Sequence, residues 1–418
     1  MFTNIKKLLK IAKYYKQPFW VYDANIIYKK IHQLKLFDTI RFAQKSCSNI
    51  NILKFMKNLN VKIDAVSLGE IERALIAGYQ TKNHDIVFTA DLFDIPTLNR
   101  INELKIPVNA GSIDMLHQLG RISPGHLIWI RINPGFGHGH NKKTNTGGIN
   151  SKHGIWYTDV PIALSAIKKY QLRLIGIHMH IGSGVNYYHL KKVCKKMEEC
   201  VLSLNHDIKI ISAGGGLTVP YKKTDKAIDT KHYFDLWNLS RKKISSHLGH
   251  KVHLEIEPGR FLIAESGLLV TQVFAVKKIY KRYFVLVNAG FTELMRPLLY
   301  GSYHNISIIK ENGDHITEKK SSQTYNTVIG GPLCESGDIF TQTEDGTIKD
   351  RMMPKIVVGD YLIFHNTGAY GASMSSNYNS RPLVPEIFFK ENQFYEIRRS
   401  QTIQELLNLE LNNRKIIF

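Results

Sequence analysis

Residues 208–217 read IKIISAGGGL and residues 252–260 read VHLEIEPGR, two short β-branched runs, at 208–213 and 252–257, each leading into glycine. Six more runs of the same texture lie upstream, at 40–45 (IRFAQK), 63–67 (IDAVS), 85–90 (DIVFTA), 106–110 (IPVNA), 127–133 (LIWIRIN) and 174–180 (LIGIHMH). Strands buried on both faces of a parallel sheet carry such nearly continuous apolar stretches. Amphipathic segments such as GEIERALIAGY, VPIALSAIKKYQ and HLKKVCKKMEECVLSLN stand between them, with apolar residues at helical spacing. Eight strands alternating with helices over about 215 residues fit a (β/α)8 barrel, for which ~250 residues is typical. An open doubly wound sheet is the competing reading, and the count of eight favours the barrel.

After residue 265 the texture changes. Strand-like runs follow one another without intervening helices: GLLVTQVFAVKKI, YFVLVNAG, NISIIK, TYNTVIGG, KIVVGDYLIFHN and PEIFFKENQFYEI. Turns containing Gly, Asn and Asp separate them, as in an antiparallel β domain, and a helix over TIQELLNLEL follows. The expected fold is α/β plus all-β: a TIM-like barrel at 26–264, with a β domain built from 1–25 and 265–418.

Composition narrows the function. Of 418 residues, 43% are hydrophobic and 22% charged, the profile of an ordinary globular protein. No run approaches the roughly 18 apolar residues that span a bilayer, so no membrane role is expected. The net charge of +21 comes from 41 Lys and 15 Arg against 35 acidic residues. Those cations are scattered in short clusters such as Lys6-Lys7, Lys142-Lys143 and Lys195-Lys196. Nucleic-acid binding needs a clustered basic footprint, so we read the lysines as solvated faces and expect no nucleic-acid partner. The opening MFTNIKKLLKIAKYY is basic and amphipathic but lacks a secretory apolar core. Cysteines 47, 194, 200 and 334 show neither C-x-x-C spacing nor a disulfide-rich count. A reducing, cytoplasmic setting is therefore expected, and no metal site.

Chemistry in such barrels gathers at the C-terminal ends of the strands. Those ends carry Lys45, Asp64 and Ser67, Thr89, Asn109, Arg131, His178 and His180, then Gly214-Gly215-Gly216, then Glu257-Pro258-Gly259-Arg260. A lysine ending a strand is usually a solvated side chain. Here the rest of the run is largely apolar, so Lys45 is expected in a crowded barrel mouth, where desolvation favours the nucleophilic neutral amine. Three glycines can be a mere turn, yet they also let backbone N–H groups approach a phosphate. A carbonyl-trapping lysine, a phosphate cradle and a carboxylate on the next strand together suggest pyridoxal 5′-phosphate, which needs a Schiff-base lysine, an anion site and a partner for its pyridinium nitrogen. Glu257 suits the last role. His180 could stack on the ring, although a single histidine of this kind is more often structural.

With these motifs the chain resembles the diaminopimelate decarboxylase family, within the alanine-racemase-like class of pyridoxal-phosphate decarboxylases. The resemblance runs through PFWVYD, DAVSLGEIERALIAGY, INPGFGHGHNKKTNTGGINSKHGI, GIHMHIGSG, AGGGL and EIEPGR. It continues through NAGFTELMRPLLYGSYH, GGPLCESGDIF and NTGAYGASMSSNYNSRP. It implies that Lys45 is the Schiff-base lysine, that Glu257 pairs with the pyridinium nitrogen and that His180 stacks on the ring. Ser183 and the backbone of Gly214, Gly215 and Gly216 hold the phosphate, with Tyr370 joining them. Arg260, Arg296 and Tyr300 bind the distal carboxylate of the substrate, for which a planar guanidinium fork is suited. Glu335 accepts the distal ammonium, and Cys334 donates a proton. The Cys334 loop enters the neighbouring subunit's site, so the resemblance implies a homodimer with shared active sites. One motif departs: the family's lysine segment usually reads like YAVKANSN, whereas this chain has FAQKSCSN, with Gln44, Ser46 and Cys47 replacing Val, Ala and Asn. We read Cys47 as a packed side chain.

The implied activity is decarboxylation of meso-2,6-diaminopimelate at its D-configured centre to L-lysine and carbon dioxide, the last step of lysine biosynthesis. The rival within the class is a decarboxylase for ornithine, lysine or carboxynorspermidine, whose substrates lack all or part of the second amino-acid head. A buried arginine without its carboxylate partner is costly, so Arg296, Tyr300 and Glu335 favour the two-headed substrate. The rival from another class is a catalytically dead binding protein, against which the retention of Lys45 and Cys334 speaks.

Overall fold

The computed structural model describes residues 5–139, 142–184, 186–316 and 323–411. Residues 1–4 of the basic opening segment, and His140 and Asn141 of the NPGFGHGH motif, lie outside the described residues. The chain divides into two compact units: residues 28–220 with 226–262, and residues 1–27 with 221–225 and 263–418.

The first unit is a closed eight-stranded parallel barrel. Its strands are Thr39–Ala43, Lys62–Ala65, Ile86–Ala90, Val108–Ala110, Leu127–Asn133, Arg173–His178, Ile210–Ser212 and His253–Ile256. Each pairs in parallel with the next, and the last returns to the first through Glu255 opposite Thr39 and Ile256 opposite Ile40. All eight expected strands are present, with ends displaced by up to two residues. The open-sheet alternative falls with the closure. A further short strand, Ile155–Trp156, flanks the fifth.

Apolar side chains such as Phe42, Ile63, Phe88, Val108, Ile130 and Leu254 are fully or almost fully buried and account for the hydrophobic runs. Polar side chains start the helices. Ser67, Asp94 and Ser112 each accept the backbone N–H three residues on, capping Leu68–Ile76, Ile95–Leu104 and Ile113–Ile122. Ser67, which stood among the polar strand-end residues, is thus a helix cap.

Strands one and eight are also joined by side chains. Arg41 Nε lies 2.7 Å from Glu255 Oε2 and Arg41 Nη2 lies 3.0 Å from Oε1, with both residues buried. The guanidinium also sits 5.9 Å from the Trp129 ring of strand five. Breaking such a buried pair strands a charge, so Glu255→Ala should cost about 3–5 kcal/mol, while Arg41→Met with Glu255→Leu should be close to neutral. Urea unfolding of the two variants distinguishes these outcomes.

The second unit is a ten-stranded sheet. Its main path runs through His315–Ile316, Ile306–Ile309, Tyr361–His365, Gly267–Ile279, Phe19–Asp23, Glu386–Lys390 and Gln393–Arg398. Arg282–Val287, Tyr325–Gly330 and Arg351–Met353 extend it from the long strand Gly267–Ile279. Most pairings are antiparallel, as expected, but two are parallel: Trp20 to Asp23 beside Glu386 to Phe389, and Tyr283 to Leu286 beside Thr327 to Gly330. The expectation of no helix between the runs also needs correction, because Arg296–Tyr300 forms a short helix. Leu8, Leu9 and Ala12 of helix Ile5–Tyr15 pack onto Phe19, Val21, Val270, Ile363 and Ile387.

Candidate active site

At the barrel mouth, strand one ends at Ala43 and the chain turns through a single 3-10 turn, Gln44–Ser46. Gln44 Nε2 donates to Glu70 O (3.0 Å), and Ser46 Oγ donates to Ala43 O (2.9 Å). Gln44, Ser46 and Cys47 are buried, so the three departures of the FAQKSCSN segment are the packed underside of this turn. Lys45 projects from it. Two expectations change here: Lys45 lies two residues beyond the strand, and its side chain is exposed rather than desolvated. Its charge still reaches the mouth, where it acts on Asp64, Glu70 and His180.

The turn abuts the exit of strand eight. Ala43 N–H donates to Pro258 O (3.3 Å), and a Cβ on Gly259 would stand 3.1 Å from Ser46 Oγ. That exit carries Glu257, whose backbone N–H donates to Gly214 O (2.8 Å). Lys45, the acid and the glycine triplet are thereby brought to one rim of the barrel. Arg260 opens the short helix Arg260–Ile263 on the same exit.

Glu257 is buried. Ser212 Oγ donates to its Oε1 (2.6 Å), and His178 Nε2 lies 2.9 Å from Oε2, a charge contact rather than an aligned hydrogen bond. Burial alone would raise its carboxyl; the adjacent His178 charge and the Ser212 hydroxyl outweigh that and hold it well below the usual carboxylate range. Asp64 goes the other way. Burial, and then the neighbouring Glu257 charge, push its carboxyl up, against the Thr89 hydrogen bond and Lys45. Two buried carboxyls that feel each other divide into one ionised and one protonated group. Protonation also lowers the cost of Asp64 Oδ1, which is buried without a hydrogen-bond partner among the described residues. Arg131, buried at the end of strand five, is lowered by burial and held up by Asp91, Glu257 and Asp64.

The glycines leave room that side chains would fill. A Cβ on Gly214 would meet His180 Cβ at 2.7 Å, one on Gly215 would meet Glu257 O at 2.5 Å, and one on Gly216 would meet Gly182 O at 2.3 Å. Gly214 and Gly216 also have φ of +60° and +99°. Gly184 N–H donates to Gly216 O (2.9 Å), which draws Ser183 alongside the triplet. His180 is partly exposed yet densely surrounded. Burial, then Arg131 and Lys45, drive its imidazole well below the ordinary histidine range, so it presents a neutral ring. An anion cradle, an ionised acid and a neutral flat ring beside a lysine fit pyridoxal phosphate.

A long loop after strand five supports this rim. Asn133 closes its base through Gly135 N–H (3.1 Å) and Gly148 N–H (2.8 Å), and Asp91 clasps its end through Gly154 N–H (2.9 Å) and His153 Nδ1 (2.5 Å). Between these anchors, His138 N–H and Thr146 N–H donate to Ile181 O, and Thr146 Oγ1 donates to His180 O. Sequence reasoning assigned no roles to Ser212, His178, Asp64 or Asp91. The usable signal was position, since Ser212 immediately precedes Ala213 and the glycines, His178 ends its strand and Asp64 is the last residue but one of its own.

The remaining candidates lie in the β unit. Arg296 is buried on helix Arg296–Tyr300, where Nη1 lies 3.0 Å from His304 Nε2. Tyr300, one helical turn on, is partly buried and is followed by Gly301 at φ +58°. Cys334 and Glu335 are exposed. Cys334 N–H donates to Asn379 Oδ1 (3.1 Å), and Tyr378 Oη lies 3.5 Å from Glu335 Oε2. The loop is braced by Asp338, whose carboxylate accepts Leu333 N–H and Phe291 N–H, each at 2.8 Å. Tyr370 sits between Ala369 and Gly371 at φ +56°, a left-handed conformation that bulky residues adopt at a cost.

Among the described residues no helix is long and apolar enough to cross a membrane, and no group of three His, Cys, Asp or Glu is placed to hold a metal. Residues 24–264 match the pyridoxal-binding domain of the pyridoxal-dependent decarboxylases. The chain is 62% identical over 407 residues to the diaminopimelate decarboxylase of Buchnera aphidicola subsp. Acyrthosiphon pisum, covering 97% of each chain. A crystal structure of a diaminopimelate decarboxylase superposes with a TM-score of 0.95 at 59% identity, covering 98% of this chain and 97% of that one. The Helicobacter pylori diaminopimelate decarboxylase complexed with L-lysine superposes at 0.82 with 30% identity, covering 97% and 99%. The chain belongs to the pyridoxal-dependent decarboxylases and, within them, to the diaminopimelate decarboxylase family.

Proposed function

We propose that this protein decarboxylates meso-2,6-diaminopimelate at its D-configured centre, releasing L-lysine and carbon dioxide as the last step of lysine biosynthesis. The observation that carries this reading is the buried Glu257 set between the glycine cradle and the Lys45 turn. Bound pyridoxal 5′-phosphate supplies an electron sink for the bond pair released as the carboxylate departs.

The chain's own residues then divide the remaining work. Lys45 would hold the cofactor through its amine. Glu257 would serve as the partner of the ring nitrogen, and its buried position would make its charge count for more than it would in water. His180 offers a neutral surface for the ring. Ser183 and the N–H groups of Gly214, Gly215 and Gly216 hold the phosphate, with Tyr370 as a further phosphate ligand. Arg260, Arg296 and Tyr300 bind the distal carboxylate, and Glu335 binds the distal ammonium. Cys334 Sγ would return a proton to Cα, since a positioned thiol can serve as a general acid.

A proton donor of this kind works best away from water, yet Cys334 and Glu335 stand exposed on a braced loop. That supports a homodimer in which the loop is covered by the partner's site. None of the four cysteines is in a disulfide, in keeping with a cytoplasmic enzyme.

The test is a product assay on stereochemically pure substrates. Lysine should form from meso-diaminopimelate, and ornithine should react slower by on the order of 10⁴-fold, because it lacks the carboxylate that the distal site is built to bind. Equal turnover of ornithine and diaminopimelate would sink the assignment.

A further inference from the structure

The guanidinium of Arg296 is held on two sides by groups to which no role has been given. His304 is 1% exposed, and its ring is fixed by both nitrogens: Nδ1 lies 2.9 Å from His365 O, and Nε2 lies 3.0 Å from Arg296 Nη1. Arginine has no lone pair to offer, so the shared proton belongs to the guanidinium and Nε2 is the acceptor. The carbonyl of His365 correspondingly takes the Nδ1 proton. One neutral tautomer satisfies both contacts.

The second contact is aromatic. Arg296 Cζ lies 4.8 Å from the centre of the Tyr221 ring, and that ring meets His304 edge-on, with centroids 5.5 Å apart at 84°. A cation over an aromatic face is attracted by the ring quadrupole, and the edge contact fixes the ring that provides that face. Tyr221 belongs to the short segment 221–225, which departs from the barrel portion of the chain and groups with the β unit. Neighbouring contacts have the same design. Arg351 lies 4.2 Å over the Tyr303 ring while its Nη1 donates to His304 O, and Lys222 lies 5.7 Å over Tyr303 from the other chain segment.

We infer that Tyr221 and His304 are positioning residues for substrate recognition: they lock the Arg296 fork so that it receives a carboxylate without first losing side-chain freedom. An arginine side chain left to itself samples many rotamers, and ordering it at the moment of binding subtracts from affinity. A fork already held from below by a histidine acceptor and across its face by a tyrosine ring presents its remaining N–H groups in one plane. The inference rests on the proposed role of Arg296 in binding the distal carboxylate, and it makes the 221–225 segment a determinant of which second head the substrate carries.

The experiment compares Tyr221→Leu with Tyr221→Phe in the holoenzyme, using competitive inhibition by L-lysine and by 1,5-diaminopentane. The two inhibitors differ by the carboxylate alone. Tyr221→Leu should weaken L-lysine inhibition and raise the diaminopimelate KM by about tenfold, the scale of one desolvated cation–π contact. Inhibition by 1,5-diaminopentane, visible cofactor absorbance and kcat should stay within about twofold, a change too small to count as a lost contact. Tyr221→Phe keeps the ring and should behave as wild type. His304→Gln, which keeps an acceptor oxygen, should lie between Tyr221→Leu and wild type. Parallel weakening of both inhibitors, or no weakening of L-lysine in Tyr221→Leu, overturns the inference while leaving the decarboxylase reading intact. A wild-type protein that loads cofactor but does not convert diaminopimelate overturns that reading, and this inference with it.

Discussion

Lys45→Ala should abolish the visible absorbance of bound pyridoxal phosphate and lower lysine formation by on the order of 10⁴-fold, the upper scale for removing a positioned reactive group. The reasoning follows from the 3-10 turn. Gln44 and Ser46 are pinned below it, so Lys45 is presented by a rigid element rather than a mobile loop. Its charge is felt by Asp64, Glu70 and His180, so no other lysine needs to be recruited to explain how an amine reaches this rim. Borohydride should bleach the wild-type protein and trap the cofactor on the peptide carrying Lys45. A Lys45→Ala enzyme of wild-type rate, or trapping on another lysine, refutes the assignment.

Glu257→Gln should cost about 10²–10³ in kcat, the usual scale for losing one preorganised electrostatic partner in a buried site. The amide keeps the size of the side chain and an acceptor for Ser212 Oγ, so the loss reads the charge rather than the shape. The pH dependence carries the sign. The Glu257 carboxyl is lowered in the folded protein, so its charge persists above the ordinary range and is lost as pH falls through the lowered value. The wild-type acid limb should therefore not report Glu257 near the usual glutamate pKa of about 4.3. In Glu257→Gln the Asp64 carboxyl should titrate at lower pH than in wild type, because the Glu257 charge that helps raise it is gone while burial remains. Infrared titration of the buried carboxyl follows this directly. A variant with unchanged kcat and an unmoved Asp64 counts against the role of Glu257.

The barrel was legible because buried parallel strands leave apolar runs of fixed length, and a run such as LIWIRIN coincides with its strand from Leu127 to Asn133. Lys45 was misplaced because IRFAQK reads as one strand. The bond that ends it after Ala43 is made by Gln44 to Glu70 O of helix Leu68–Ile76, which follows the second strand, a partner that no local window contains. The parallel pairing of Trp20 with Glu386 was hidden for the same reason. Glu257 was identified as an acid at a strand end. Its ionisation depends on His178 and Ser212 from two other strands, and spacing along one strand does not encode that. The exposure of Cys334 was equally unreadable, since GGPLCESGDIF holds an apolar and a polar half, and Asp338 decides which is turned inward.

Strand Phe19–Asp23 lies inside its sheet, hydrogen-bonded to Gly267–Ile279 on one side and Glu386–Lys390 on the other. During synthesis the first of these strands leaves the ribosome early and waits until nearly the last has been made. One edge stays open until Gly267–Ile279 is made and the other until Glu386–Lys390 is, and an open edge is a template for mispairing. The barrel, whose strands all fall between these partners, can close meanwhile. Clipping the chain just after residue 23 would split the sheet down its middle instead of trimming a margin, so this short leading strand has a structural weight far beyond its five residues.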